Sequence, residues 1–246
     1  SVISNNTIHY RSGSPTAANG IRLVSADYYR VTDNALYMTN NALNLNGIIT
    51  LGCNKPTISC NTVLGSFTNY GVNLGQSAIR SNISSTPIIY CNTVDGTTNG
   101  ILFTGNAYQA DVAGNNMHRH LWGLHLDGTA MIGGQSLRGN LWYTNNVPGN
   151  LGAWCEDAFN AQGSPFEYSW ATIGGGSTLP YSIDPPFGWF SSVSGQNFEC
   201  DAVGYCTVFV REACEDCKTE FDERIAADEL ENDPYTEETK WMLKSD

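Results

Sequence analysis

The chain has 246 residues, of which only 15% are charged; 25 Asn and 25 Gly supply much of its polarity. That composition excludes a coiled coil or helical bundle, which would be rich in Ala, Glu, Lys and Leu, and 41% hydrophobic residues exclude ordinary disorder. The net charge of −12 divides into −3 over residues 1–211 (11 acids, 8 bases) and −9 over residues 212–246 (13 acids, 4 bases), so the near-neutral body lacks the basic patch that nucleic acid or an anionic membrane surface requires.

An internal repeat organises the first 155 residues. The phrase Cys60-Asn61-Thr62-Val63 returns as Cys91-Asn92-Thr93-Val94, then as Gly114-Asn115-Asn116-Met117 and Gly139-Asn140-Leu141-Trp142, with starts 31, 23 and 25 residues apart. Asn6-Thr7-Ile8 fits the same template. A second phrase, Gly followed by alternating apolar residues, occurs at Gly20, Gly71, Gly100 and Gly123, and more loosely at Gly47. It follows the repeated Asn by 10, 8 and 8 residues in the units of Asn61, Asn92 and Asn115. Each unit reads as a short strand, a turn, a second short strand and a variable loop. Strands this short cannot bury a face alone, so the units must stack, each coil pairing its backbone with the next at about 4.8 Å. Equivalent residues then form columns. Asn61, Asn92, Asn115 and Asn140 are expected to make an amide ladder at a bend, because Asn tolerates left-handed backbone and its amide can bond the next one. Cys60 and Cys91 are expected to share a column in successive coils, as a thiol stack or a disulfide.

These repeats resemble the right-handed parallel β-helix proteins, the architecture of pectate lyases and many bacterial surface proteins. The resemblance implies an all-β solenoid over residues 1–155. Residues 156–220 read as a loop-rich cap, with Gly174-Gly175-Gly176, Pro180, Pro185-Pro186 and the aromatics Phe166, Tyr168, Trp170, Phe187, Trp189 and Phe190. Solenoids need their open ends covered; the sharper alternative for the aromatics is a sugar-stacking platform. Cys200, Cys206, Cys214 and Cys217 permit a zinc site or two disulfides. One Cys-x-x-Cys with no downstream His favours disulfides, with the connectivity open.

Residues 221–246 read as an acidic helical tail leading to a further module. Asp233-Pro234 looks like an N-cap followed by Pro at the first helical position. With Ser1 in place of Met, the chain is expected to be a mature or excised piece. The phrase Pro234-Tyr235-Thr236-Glu237-Glu238-Thr239-Lys240-Trp241-Met242 is similar to segments that follow the β-helix in very large secreted proteins of Bacteroidota. That resemblance implies a modular surface polypeptide exported by the type IX route.

Chemistry is sparse in the repeat. Its acids are Asp27, Asp33, Asp95, Asp111 and Asp127, with no Glu, and Lys55 is the only Lys before residue 218. Hydrolysis of a polysaccharide needs two placed carboxyl groups, and a lyase needs a base with charge neutralisation. Aligning the repeats puts Leu64, Asp95, His118 and Tyr143 in one column, so Asp95 beside His118 is the one candidate acid/base pair. His118 and His120 offer two imidazoles at strand spacing, with His125 or Asp127 as a distant third ligand, but exposed polar residues are the favoured reading. No catalytic, cofactor or metal residues are assigned. The expected function is a non-enzymatic rigid scaffold or adhesive segment of a secreted or cell-surface protein, with a glycan, another surface protein or secretion machinery as partner. The alternative is a polysaccharide hydrolase or lyase of β-helix type.

Overall fold

The computed structural model describes residues 1–10, 18–38, 43–65, 75–143, 150–173, 175–200 and 206. All of them fall within one compact unit, Ser1–Cys206. The expected acidic helix over 221–246, Cys214 and Cys217 lie outside the described residues.

The chain is an all-β parallel solenoid of about six turns. Each full coil supplies three strands rather than the two read from the repeat. The first sheet stacks Val2–Ser4, Arg30–Thr32, Thr57–Ser59, Ile88–Tyr90 and Asp111–Ala113. The second stacks Thr7–His9, Ala35–Tyr37, Thr62–Leu64, Thr93–Asp95, Asn116–His118 and Leu141–Tyr143, then ends antiparallel on Gly176–Ser177 and Thr172–Ile173. The third stacks Ala18–Val24, Leu45–Leu51, Ser77–Asn82, Asn99–Thr104, Trp122–Asp127, Leu151–Cys155 and Ile183–Asp184. A fourth, parallel sheet of Gln135–Ser136, Phe166–Tyr168 and Phe190–Ser192 extends the stack past residue 155. One short helix, Ala158–Gln162, is present among the described residues, capped by the Asp157 carboxylate on the Phe159 N–H at 2.7 Å. That helix is far too short to cross a membrane.

Columns of equivalent residues fill the interior. Val31, Ile58, Ile89 and Val112 line up from the first sheet. Ile8, Leu36, Val63, Val94, Met117 and Trp142 line up from the second, and Ile21, Ile48, Ile79, Ile101, Leu124 and Ala153 from the third. All are buried. Burial of these columns favours this register, because a one-residue slip would turn them away from the core.

The register corrects one alignment. Ile79 pairs with Ile48 and Ile101, so Ala78 occupies the position taken by Gly47 and Gly100 in the neighbouring coils. The phrase beginning at Gly71 is not the one that pairs here, and Gly71–Leu74 lies outside the described residues. Only a small residue fits this place: Ala78 fills it in one coil, while at Gly47 even a Cβ would sit 2.6 Å from the Ala78 carbonyl oxygen and from a Val63 methyl.

Trp189, Phe166 and Phe190 cover the far end of the core. Phe166 stacks on Phe190 with ring centroids 4.8 Å apart, and Trp142 meets the edge of Phe190 at 5.9 Å. Trp170 and Phe187, also expected in the cap, remain exposed at 65% and 83%.

Candidate functional site

The bend between the first and second sheets holds the expected Asn column. In every coil the residue before the Asn adopts the left-handed conformation: Asn5, Asp33, Cys60, Cys91, Gly114 and Gly139 have φ between 57° and 65°. That single residue turns the chain and aims the next side chain inward. Asn61, Asn92, Asn115 and Asn140 are buried, and each donates or accepts along the axis. Nδ2 of Asn61 donates to Oδ1 of Asn92 at 3.0 Å, Asn92 to Asn115 at 2.9 Å, and Asn115 to Asn140 at 2.9 Å. The same oxygens also accept the backbone N–H of the preceding Asn at 3.0–3.1 Å. Asn34 and Asn6 continue the ladder at 2.9 Å per step. Asn34 escaped the sequence reading because Asp33-Asn34-Ala35-Leu36 keeps only the Asn and the apolar fourth residue of the template.

Cys60 and Cys91 stand in adjacent coils, one residue past the paired Ser59 and Tyr90. They are bonded neither to each other nor left as thiols. Cys60 pairs with Cys206 and Cys91 with Cys200, at Cα separations of 5.5 and 5.7 Å. The disulfides therefore tie Cys200 and Cys206 back onto the solenoid instead of linking these two to each other, and the segment ending at Cys200 forms a strap over the bend. The strap lies tight against the bend: a Cβ on Gly139 would sit 1.9 Å from the Phe198 carbonyl oxygen, and one on Gly114 2.3 Å from the Cys200 sulfur. Cys53 and Cys155 are buried free thiols.

The column of Leu64, Asp95, His118 and Tyr143 exists on the outer face of the second sheet. Asp95 and His118 already have partners there. Arg119 makes a two-pronged ion pair with Asp95, Nε lying 2.8 Å from Oδ1. His118 stacks on Tyr143 with centroids 3.7 Å apart. Burial lowers the His118 pKa, with Asp95 opposing and Arg119 reinforcing the shift. His118 and His120 do not share a face. His118 ends its strand pointing out, whereas left-handed Arg119 (φ 45°) turns the chain and buries His120 to 2% exposure. There Nε2 lies 3.1 Å from the Val94 carbonyl and Nδ1 3.0 Å from the Thr97 hydroxyl. Burial pushes its pKa down to about 4.

A second constellation lies on the outer face of the third sheet. Leu124 and Leu126 point into the core, so His125 and Asp127 point outward. Leu126 pairs with Cys155, which sets Glu156 beside Asp127. One donor atom from each of His125, Asp127 and Glu156 lies within 4.8 Å of the others. His125 and Glu156 are each held by a hydrogen bond. Asn99 donates its Nδ2 to the Gln76 carbonyl and the Ser77 hydroxyl, both at 3.3 Å, and turns Oδ1 to the His125 Nδ1 at 2.7 Å. Glu156 Oε2 accepts the Gly128 N–H at 2.9 Å. The His125 ring packs against both Trp122 and Trp154, with centroids at 4.9 and 4.3 Å, and the two indoles meet each other at 4.3 Å. Burial drives the His125 pKa down to about 4 against the pull of Glu156. Burial, then the charge of Glu156, raises the Asp127 carboxyl, and Arg80 partly offsets this. A neutral imidazole facing two carboxyl groups can accept a proton, or serve with them as a ligand set.

The sequence reading named His125 and Asp127 only as distant partners of His118 and missed Glu156, because the repeat was closed at residue 155. The available signal was the match of Leu126-Asp127 to Cys155-Glu156 one coil later. No protein-family model matches this chain, and neither does any curated protein or solved structure compared with it.

Proposed function

We propose that the chain is a non-catalytic, rigid adhesive segment of a secreted or cell-surface protein. The observation that supports this most is the unbroken amide ladder from Asn6 to Asn140, with both disulfides fastening the C-terminal strap across its bend. Such a body resists local opening, which suits a stalk or surface exposed to proteases. Disulfides persist in oxidising compartments, in keeping with an extracellular setting. The likeness of residues 234–242 to segments of Bacteroidota surface proteins extends the proposal to type IX export and to secretion machinery as a partner. The adhesive contact is assigned to the exposed aromatics Trp170 and Phe187, whose faces suit a glycan ring, the class of partner named from the sequence.

One observation favours a second reading, a polysaccharide-degrading enzyme. Asp127 and Glu156 form a close carboxyl pair on one coil face, and hydrolysis requires two such groups. Passing the chain over a panel of immobilised polysaccharides separates the readings. The adhesive segment predicts saturable retention on at least one polysaccharide, lost in Trp170→Ala/Phe187→Ala, with no new reducing ends or unsaturated uronates. Turnover abolished by Glu156→Gln would replace the first reading with the second.

A further inference from the structure

We propose that His125, Asp127 and Glu156 bind one divalent transition-metal ion of the zinc, cobalt or nickel kind, bridging two adjacent coils on the outer face of the third sheet. The inference stands on geometry and is independent of the adhesive reading. The three donor atoms already lie within 4.8 Å of one another. Around a four-coordinate ion with bonds of about 2.0–2.1 Å, donors stand about 3.3 Å apart; Glu156 Oε1 is already 3.7 Å from His125 Nε2, so closure needs a side-chain shift of about an ångström, chiefly by Asp127.

A cluster of acids alone would mean little, but the imidazole points to a ligand. His125 is 5% exposed, and its Nε2 is buried with no hydrogen-bond partner. The nearest carboxylate oxygen, Glu156 Oε1, is 3.7 Å away, too far for a hydrogen bond. Asn99 decides which ring nitrogen holds the proton. Its Nδ2 is engaged by Gln76 and Ser77, so its Oδ1 accepts from Nδ1. The Nε2 lone pair is left aimed at the two carboxylates. A polar second partner that fixes tautomer and ring plane is what metal-binding imidazoles require. The Gly128 N–H does the same for Glu156. Packing against Trp122 and Trp154 fixes the ring further.

The donor set selects the class of ion. One imidazole and two carboxylates suit zinc, cobalt or nickel. Calcium takes six to eight oxygens and gains nothing from an imidazole. Three protein ligands leave at least one position open to water or to an oxygen of a bound partner.

The test uses the full oxidised chain after chelator treatment, titrated with Co²⁺ by absorbance and with Zn²⁺ by calorimetry. The expected result is one site showing weak visible bands without intense near-ultraviolet thiolate bands. Affinity should fall at least tenfold in Glu156→Gln and in His125→Gln. Glu156→Gln keeps an acceptor for the Gly128 N–H, so its melting without metal should match the parent and separate a lost ligand from a lost fold. Absence of binding, binding equal in parent and Glu156→Gln, or thiolate bands alone from Cys214 and Cys217 would each overturn the proposal.

Discussion

Replacing Asn92 by Ala removes the middle of the ladder, and the consequence can be worked bond by bond. The Asn92 amide donates to Asn115 Oδ1 at 2.9 Å and to the Ile58 carbonyl at 3.0 Å. Its oxygen accepts the backbone N–H and the Nδ2 of Asn61, both at 3.0 Å. After truncation, Asn115 Oδ1 still receives the Asn92 N–H, and Asn61 Nδ2 still reaches the Val31 and Ser59 carbonyls. The Asn61 N–H, buried at the bend, loses its acceptor. An orphaned buried donor costs about 1–3 kcal/mol and each of the three other lost bonds about 0.5–1.5 kcal/mol net, so the sum is about 5 kcal/mol. For a body of this size that corresponds to a melting shift of about 10–20 °C. Asn6→Ala is the internal control. Its residue is exposed and ends the ladder, so the cost should stay near 1 kcal/mol. Urea and thermal unfolding of both variants provide the assay. An Asn92→Ala midpoint no lower than that of Asn6→Ala would refute the account of the ladder.

Two further outcomes follow from the bends. His120 has its pKa lowered to about 4 by burial, with Asp95 favouring the charged form and His118 opposing it, whereas an unfolded imidazole titrates near 6.5. Between those values the unfolded chain takes up a proton that the folded chain does not, so stability is lost as pH falls from about 6.5 to 4, by about 3 kcal/mol at the lower end. His120→Gln should flatten that part of the urea-midpoint profile, and an unchanged slope would contradict the assignment. Gly139→Ala should destabilise the chain far more than Gly128→Ala. Both have positive φ, yet the new methyl would strike the Phe198 carbonyl at 1.9 Å in the first and meet nothing within 4 Å in the second. Equal melting temperatures would show that the strap does not pack against the bend.

The fold was legible where one residue type answers one geometric demand. Asn at a bend and a buried apolar residue two positions further on recur because each coil presents the same turn and the same wall, and that period exposes a solenoid. The first-sheet strands were not legible as strands. Thr57–Ser59 and Ile88–Tyr90 are three residues long with one buried apolar residue each, Ile58 and Ile89, too short for alternation to stand out. Asn34 and Ala78 show the limit of repeat matching. A column tolerates Asp in place of Cys before the bend, and Ala in place of Gly against the core, because only backbone angle and size are selected. The cysteine pairing could not be read, since identical settings at Cys60 and Cys91 reflect a shared column, while partnership depends on how the chain returns from residue 155. The cluster on the third sheet was hidden for a related reason. His125 and Glu156 are 31 residues apart in the chain, and only the Leu126–Cys155 register makes them neighbours.

Site-resolved hydrogen exchange at the bend tests the central claim, a rigid solenoid clamped along the Asn column, most directly. The backbone N–H groups of Asn34, Asn61, Asn92 and Asn115 donate to side-chain oxygens of the next coil and lie between strands, where ordinary turn amides exchange quickly. The account predicts that they exchange only through global unfolding, as slowly as the amides of Val63 and Val94 in the adjoining strands, and that Asn92→Ala selectively releases Asn61. Exchange of these four amides at the rate of solvent-exposed turns, with the strands still protected, would contradict it.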